Sequence, residues 1–156
     1  MHRYQELEDA MLFFANECPC PMGGYGAGFY RWLFQPKALN KFGLAPYKSK
    51  TGRYPYGSWG NGSAMRASAI GWFFYTLEET ERVAAISAAI THNHPEGIKG
   101  AQVTAATIWM ARNRKDKEEI RSYIENTYGY DLHKTYENWQ LSNIGNPAVK
   151  GLFRKP

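Results

Sequence analysis

Hydrophobic residues recur at helical spacing along most of this chain. The first such stretch covers residues 4–14, where the apolar positions follow the i, i+3, i+7 pattern of an amphipathic helix. These positions are Tyr4, Leu7, Met11 and Phe14. The acidic residues of the stretch, Glu6, Glu8 and Asp9, fall on the opposite face and are predicted to meet solvent.

The same periodicity predicts five further helices. They cover residues 29–34, run from Ser63 to about Tyr75, and begin near Thr76, Pro95 and Asp116. Thr76 and Glu79 have the spacing of a capping box, and Asp116 repeats it three residues before another glutamate. Pro95 suits the first position of a helix, and Gly129 suits the end of the last one. Because no convincing alternating strand pattern appears, the sequence predicts an all-α fold.

The helix expected to begin at Pro95 is rich in small residues. They are Gly97, Gly100, Ala101, Ala105 and Ala106. Because these residues carry little side-chain volume, they are predicted to let a neighbouring helix come close.

Two segments lack a helical period. Residues 37–56 contain Gly, Pro, Ser and Lys and are predicted to form a long surface loop. Residues 136–156 are predicted to form an irregular C-terminal tail. The remaining residues, 1–135, are then expected to form one helical domain.

The composition is that of a mildly basic folded domain, with a formal net charge of +5. The basic residues are scattered, and the one dense group, residues 112–115, is typical of a solvated helix end, so no nucleic-acid partner is predicted. No apolar run approaches bilayer length, so no membrane association is predicted. Cys18 and Cys20 have neither the number nor the spacing of a zinc site or a disulfide framework. A reduced, cytoplasmic protein is the simplest expectation.

The segment from Gly57 to Arg66 is the strongest candidate for a binding site. Three of the six residues from Gly57 to Gly62 are glycines, which lets a ligand or another backbone approach closely. Asn61 lies between two of them and can adopt a left-handed conformation while still offering its amide to a ligand. Free amides at a helix start near Ser63 would suit an anion such as phosphate. The alternative is a glycine-rich turn that only precedes a buried helix.

The histidines and carboxylates indicate a ligand contact but no metal site. His92 and His94 lie in the turn before Pro95; a zinc pair would need a third ligand that is not nearby, so His92 is expected to hydrogen-bond a ligand and His94 to cap the helix. Glu96, in the first turn of that helix, is expected to compensate the helix dipole. Neither an Asp-Asp pair nor an Asp-x-Asp segment is present, so no metal ligands are predicted.

Two segments together resemble the ADP-ribosylglycohydrolase family. They are the run YGSWGNGSAMR from Tyr56 to Arg66 and the run THNHPEGIKGA from Thr91 to Ala101. The piece from Gly23 to Leu33 and the end of the last helix near Gly129 fit the same pattern, so the resemblance covers roughly residues 20–135. It implies an orthogonal all-α bundle, of which this chain is a partial version. The implied activity is cleavage of the glycosidic bond that joins ADP-ribose to a protein side chain or small acceptor.

The resemblance also implies roles for particular residues. The loop that would wrap the diphosphate and the proximal ribose consists of Gly57, Ser58, Trp59, Gly60, Asn61 and Gly62. Trp59 stands where an aromatic side chain flanks the ligand in the family. His92 would reach the phosphate or ribose region.

The segments that hold the family's two Mg²⁺ or Mn²⁺ ions have no counterpart in this sequence. These are an N-terminal Thr-Asp-Asp-Thr segment with an acidic residue upstream, and an Asp-x-Asp-Thr segment near the C-terminus. The resemblance therefore implies a truncated or split glycohydrolase that keeps the ADP-ribose loop, binds no metal by itself and is inactive as an isolated chain. Two alternatives stay open: an active enzyme completed by a separate chain that carries the carboxylates, and a non-enzymatic helical interaction module. The aromatic stretch 29–34 is the predicted self-association surface of an incomplete bundle.

Overall fold

The computed structural model of the chain describes residues 2–36 and 47–133. Their helices are α1 (His2–Glu17), α2 (Ala27–Phe34), α3 (Gly62–Met65), α4 (Ser68–Phe73), α5 (Leu77–Ala89), α6 (Pro95–Arg112) and α7 (Lys117–Tyr128). No strand occurs within these two ranges, which confirms the all-α prediction for them. The structure divides into two units after Ile120, and helices α1–α6 belong to the first.

The predicted helix starts and ends are set by local hydrogen bonds. The Thr76 hydroxyl accepts a bond from the Glu79 amide at 3.2 Å, which caps α5. At the start of α7, Asp116 accepts from the Glu119 amide at 2.8 Å, and Glu119 accepts from the Asp116 amide at 2.9 Å. Gly129 ends α7 with a φ of +70°, a conformation that glycine adopts without strain. These caps confirm the sequence-based starts of α5 and α7 and the end of α7.

The single helix predicted from Ser63 to about Tyr75 is wrong. Two short helices, α3 and α4, occupy this stretch, with a break at Arg66 and Ala67. The break places the Arg66 guanidinium against the end of α5, where Nη2 donates to the Ser87 carbonyl at 2.7 Å. Ala67 is fully buried beside it. These tertiary contacts accompany the break and override the periodicity.

Helices α4, α5 and α6 pack through small residues. The buried cluster consists of Ala67, Ala84, Ala88, Ala101 and Ala105, with Ile70 and Ile98 against it. In α4, a Cβ atom added at Gly71 would lie 2.7 Å from the Ala105 carbonyl oxygen of α6. Backbones therefore approach closely here, as the small residues of α6 predict. Gly100 is the exception, because an added Cβ there meets nothing within 4 Å.

A second cluster joins α1, α2 and the segment 47–56 and is mainly aromatic. Its buried members are Ala15, Trp32, Leu33, Tyr47 and Ile90. Tyr4, Leu7 and Met11 of α1 pack against it as the periodicity predicts, but Phe14 is 67% exposed. The stretch 29–34 is partly built into this core, since Trp32 and Leu33 are buried while Tyr30 is 44% exposed, so only part of the predicted self-association surface is accessible.

The assignment of Glu8 to the solvent-facing side of α1 is wrong, because this side chain is fully buried. Its carboxylate accepts hydrogen bonds from the hydroxyls of Tyr47, Ser49 and Thr51. The Ser49 bond measures 2.9 Å, and Gln5 of the same helix accepts from the Lys50 amide at 2.9 Å. Burial, reinforced by the hydrogen bond to Glu8, raises the pKa of Tyr47. This network fixes the start of the segment 47–56 on α1.

The predicted surface loop over 37–56 is described only from Tyr47 onward. In that part no helix forms, as expected, but Tyr47 and Pro55 are buried, so it is not a surface loop throughout. The predicted boundary at residue 135 and the predicted tail over 136–156 lie outside the described residues. Among the helices of residues 2–36 and 47–133, none combines the length and the apolar character needed to cross a bilayer.

Candidate functional site

The glycine-rich loop and His92 line one cavity of about 510 Å³. That volume lies within the range of about 300–1,000 Å³ usual for small-molecule sites. Of the residues predicted from sequence, Ser58, Gly60, Asn61, Gly62 and His92 line it. The others that line it are Gly24, Tyr25, Gly26, Gly28, Phe29, Tyr56, Met65 and Arg66. Two glycine-rich loops from distant parts of the chain thus face each other across the cavity.

Gly57 and Trp59 do not line this cavity but hold its loop. Gly57 has a φ of +65°, and its amide donates to the Asn93 side-chain oxygen at 2.8 Å. The Trp59 side chain is 74% exposed, and its ring lies 5.5 Å from the ring of His94. Both contacts tie the loop to the turn between α5 and α6. Whether Trp59 flanks a ligand stays a prediction.

The first turn of α6 supports the loop from beneath. A Cβ atom added at Gly97 would lie 2.5 Å from the Ser58 carbonyl oxygen and 3.0 Å from the His92 Cβ. The Ser63 hydroxyl donates to the Gly97 carbonyl at 2.7 Å. Only glycine at position 97 permits this approach, so one small residue of α6 serves the site rather than the helix packing.

Two sequence-based details of the loop are corrected. Asn61 has a φ of −76° and a ψ of 1°, so it is not left-handed; the positive φ falls on Gly57 instead. The helix that follows, α3, has four residues and therefore lacks the summed dipole of a long helix. Asn61 itself remains exposed on the cavity, and its side chain makes no cap bond to α3. Attraction for an anion at this loop therefore rests on its individual backbone amides and on charges elsewhere in the cavity wall, and not on a helix dipole.

Arg66 supplies positive charge to that wall. Its Nη2 donates to the Ser87 carbonyl at 2.7 Å and to the Thr91 hydroxyl at 2.8 Å. Its buried Nε has no hydrogen-bond partner among the described residues. Burial lowers the pKa of Arg66 to about 10, so the guanidinium remains charged at neutral pH. The same side chain also lines a second, apolar cavity of about 660 Å³ between α1, α2, α4 and α5.

His92 is a neutral side chain at the edge of the cavity. It is 4% exposed, and its Nδ1 lies 2.7 Å from the Thr91 hydroxyl oxygen. Burial, assisted by the charge of Arg66, lowers the pKa of His92 to about 4. An added Cβ at Gly62 would lie 3.2 Å from Nε2, so the missing side chain there leaves this nitrogen uncovered. His92 can therefore give or take one hydrogen bond at the cavity without carrying charge.

His94 and Glu96 have structural roles. The His94 Nδ1 accepts from the Glu96 amide at 3.2 Å and caps α6, which confirms the expected cap. Glu96 lies in the first turn of α6, where a negative charge is favourable, and its carboxylate pairs with Lys99 at 2.9 Å.

The described residues do not fit the metal pair that the family resemblance implies. Across residues 2–36 and 47–133, no three His, Cys, Asp or Glu side chains gather as a metal ligand set. Glu8, the one fully buried carboxylate in the described part of the chain, accepts hydrogen bonds from three hydroxyls. Metal-dependent steps are therefore not assigned to these side chains.

Sequence reasoning missed the second wall of the cavity. The glycines from Gly24 to Gly28 were visible, but their GxG pattern follows a helix and not the strand that a dinucleotide motif requires. An added Cβ at Gly28 would lie 2.9 Å from the Tyr56 ring, so this glycine allows the start of α2 to approach the second loop. The feature of the sequence that could have identified this wall is a glycine-rich segment that directly precedes a predicted helix.

Several curated proteins named ADP-ribosylhydrolase ARH3 are similar to this chain. The human ADP-ribosylhydrolase ARH3 is 29% identical over 121 residues, which cover 74% of this chain and 32% of the human protein. The mouse and bovine proteins of that name are each 27% identical over 132 residues, which cover 81% of this chain and 34% of theirs. The chain thus spans about a third of the length of these curated relatives. No solved structure matches it significantly.

The family model described as ADP-ribosylglycohydrolase matches residues 5–151. This match includes both loops of the cavity, Arg66 and His92. The chain therefore belongs to the ADP-ribosylglycohydrolase family.

Proposed function

We propose that the chain binds the ADP-ribose group of ADP-ribosylated proteins or small acceptors in the cavity between its two glycine-rich loops. The observation that carries the proposal is the convergence of residues 24–28 and 58–62 with Arg66 and His92 on one cavity of about 510 Å³. Glycine backbones allow the close approach that a diphosphate requires. The family membership and the names of the relatives support the choice of ligand.

The electrostatics of the cavity favour an anion without a bound cation. The Arg66 guanidinium stays charged, and no carboxylate lines the cavity among the described residues. His92 is neutral at pH 7 and suits a hydroxyl or phosphate oxygen rather than a metal ion. We therefore propose that ADP-ribose binding by this chain does not depend on Mg²⁺ or Mn²⁺.

We further propose that this chain does not cleave the glycosidic bond alone. Its relatives are about three times as long as the matched part, and the described residues contain no set of metal ligands. A complementing polypeptide that carries Thr-Asp-Asp-Thr and Asp-x-Asp-Thr segments would supply the carboxylates for a metal-assisted attack of water. Cys18 and Cys20, both free and exposed, are compatible with the reducing cytoplasm as the location.

Calorimetric titration of ADP-ribose into the full chain, with and without Mg²⁺, tests the binding proposal. Asn61→Ala should weaken binding by up to about tenfold through loss of one hydrogen bond. Gly60→Val should abolish binding, because the new side chain fills the cavity while its Cβ meets only the Ser58 hydroxyl at 3.5 Å. Gly100→Val is the matched control, since position 100 also has open space but does not line the cavity.

Three outcomes would contradict the proposal. They are no binding by the unmodified chain, equal binding by the Gly60 and Gly100 variants, and a strong dependence on Mg²⁺. Release of ADP-ribose from a modified protein separates the second claim from the first. The chain alone is expected to release none, and addition of the complementing polypeptide is expected to restore release.

An interaction module without enzymatic function is the second candidate. It is favoured by the apolar cavity of about 660 Å³, whose rim includes the exposed rings of Phe14 and Phe73. This candidate predicts no affinity for ADP-ribose, so the same titration distinguishes it from the first.

A further inference from the structure

Three side chains form a hydrogen-bonded chain beneath the ligand cavity. Nη2 of Arg66 lies 2.8 Å from the Thr91 hydroxyl oxygen, and this oxygen lies 2.7 Å from Nδ1 of His92. Arginine can only donate, so the Thr91 oxygen accepts the bond from Arg66. The hydroxyl of Thr91 keeps one hydrogen of its own to give, and the side-chain groups that can receive it are Nδ1 of His92, at 2.7 Å, and the Tyr56 hydroxyl.

We infer that Thr91, oriented by Arg66, donates this hydrogen to Nδ1 of His92 and so holds His92 in the tautomer that carries its hydrogen on Nε2. The consequence is an uncharged N–H donor at the cavity edge, aimed at an oxygen acceptor of the ligand. The inference rests on the proposed function for the identity of that ligand, but the tautomer is a property of the chain alone.

The charge of Arg66 favours the same tautomer. With a bare Nδ1, the negative end of the imidazole dipole faces Thr91 and the guanidinium beyond it. With a hydrogen on Nδ1, the positive end would face the partly buried guanidinium of Arg66, and repulsion between like charges is strong where few waters screen it. The low pKa of His92 excludes the doubly protonated ring at neutral pH.

Neighbouring residues hold the hydrogen-bonded side chains of Arg66, Thr91 and His92 in place. Thr91 is fully buried, and its carbonyl accepts a bond from the Tyr56 amide at 3.1 Å. The Tyr56 ring lies 5.7 Å from the His92 ring, which limits rotation of the imidazole. Gly62 leaves Nε2 uncovered, because a side chain there would meet it at 3.2 Å. The hydrogen bond at Nδ1 therefore decides what Nε2 presents to the ligand, as is usual for histidine.

Nitrogen-15 NMR of the full chain, labelled at histidine and without ligand, tests the inference directly. His92→Gln identifies the His92 signals among those of the four histidines. At pH 7.5 we expect a hydrogen on Nε2 and a bare, hydrogen-bonded Nδ1. Thr91→Val should move the Nδ1 resonance to that of a nitrogen without a hydrogen bond, whereas Thr91→Ser should preserve it.

The affinity for ADP-ribose gives a second readout. Thr91→Val should weaken binding by up to about tenfold, and Thr91→Ser should leave it within about twofold, because serine keeps the donor. A hydrogen on Nδ1 in the unmodified chain, or an Nδ1 resonance unchanged by Thr91→Val, would overturn the inference. The unmodified chain decides the tautomer even if the valine variant does not fold.

The two proposals fail in distinguishable ways. A chain that shows the expected tautomer but binds no ADP-ribose would refute the proposed ligand and leave the role of Thr91 standing. A chain that binds ADP-ribose with a hydrogen on Nδ1 would refute the role of Thr91 and leave the ligand standing.

Discussion

The two core regions of the first unit are built by opposite means. Helices α4, α5 and α6 meet through alanine and glycine, so their backbones are nearly in contact. Helices α1 and α2 and the segment 47–56 meet through aromatic rings and through the hydrogen bonds that the buried Glu8 carboxylate accepts from Tyr47, Ser49 and Thr51. The first region depends on the absence of side-chain volume, whereas the second depends on specific hydrogen bonds between distant residues.

The cavity of about 510 Å³ lies where these two regions adjoin. The loop 58–62 rests on α6 at Gly97, and the facing loop 24–28 leads into α2. Each region therefore contributes one wall, and damage to either is expected to affect the cavity. The predictions below separate the two contributions.

The largest effect is expected at Glu8. Glu8→Ala leaves the hydroxyls of Tyr47, Ser49 and Thr51 without their acceptor. Only Tyr47 is buried among the three, so its unpaired hydroxyl should cost about 1–3 kcal/mol, and the more exposed Ser49 and Thr51 should each lose one hydrogen bond of about 0.5–1.5 kcal/mol, which makes unfolding easier by about 3 kcal/mol in total. Urea denaturation measures this change. Glu6→Ala, on an exposed position of the same helix, should change stability by less than about 0.5 kcal/mol; similar losses for both variants would contradict the buried network.

The second largest effect is expected in the pH dependence of folding stability, through His92 at the cavity where the two regions adjoin. The pKa of His92 is lowered from 6.5 to about 4, so below pH 6.5 the unfolded chain binds a proton that the folded chain resists. The stability of the folded state should therefore fall between pH 6.5 and pH 4, by about 2–3 kcal/mol from this residue. Urea denaturation at pH 7.5 and pH 4.5 measures the fall. His92→Gln should reduce it by that amount, and an unchanged fall would show that His92 is readily protonated in the folded chain.

A smaller effect is expected in the alanine-lined region. Gly71→Ala places a Cβ atom 2.7 Å from the Ala105 carbonyl oxygen, which forces α4 away from α6 and should cost about 1–3 kcal/mol. Gly100→Ala is the matched control, because α6 has open space there. It should stabilise the chain by about 0.5–1 kcal/mol through higher helix propensity. Thermal melts of both variants test the contrast, and equal shifts would argue against the close approach of the two backbones.

The smallest effect on stability is expected on the rim of the apolar cavity. Phe14 and Phe73 are 67% and 80% exposed, so Phe14→Ser with Phe73→Ser should change stability by less than about 1 kcal/mol. The same double variant should self-associate less, since exposed apolar area drives association. Sedimentation velocity measures this. Met22→Ser, at an exposed methionine that does not line the cavity, is the control and should leave association unchanged.

About half of the candidate site could be predicted from the sequence. Gly60, Asn61, Gly62 and His92 stand in runs whose glycine content and spacing indicate a binding loop and a turn, and the structure brings them to one cavity. Arg66 ends the predicted binding segment, but no role was predicted for it, because it stands inside a helical pattern and only the break between α3 and α4 turns it inward. The loop 24–28 was seen but not assigned, because no local signal connects it to a segment about thirty residues away.

The sequence by itself determined the all-α class, the caps of α5, α6 and α7, and the motifs of the ADP-ribosylglycohydrolase family. These features depend on apolar periodicity, on hydrogen bonds between residues two to four apart, and on contiguous motifs. Only the tertiary structure decided that Glu8 is buried, that the helix after Gly62 breaks at Arg66, and that Thr91 links Arg66 to His92. The bonds behind these features, those of Glu8 to the segment 47–51 and of Arg66 to Ser87 and Thr91, join residues 21 to 43 positions apart. At such separations, packing outweighs local preference.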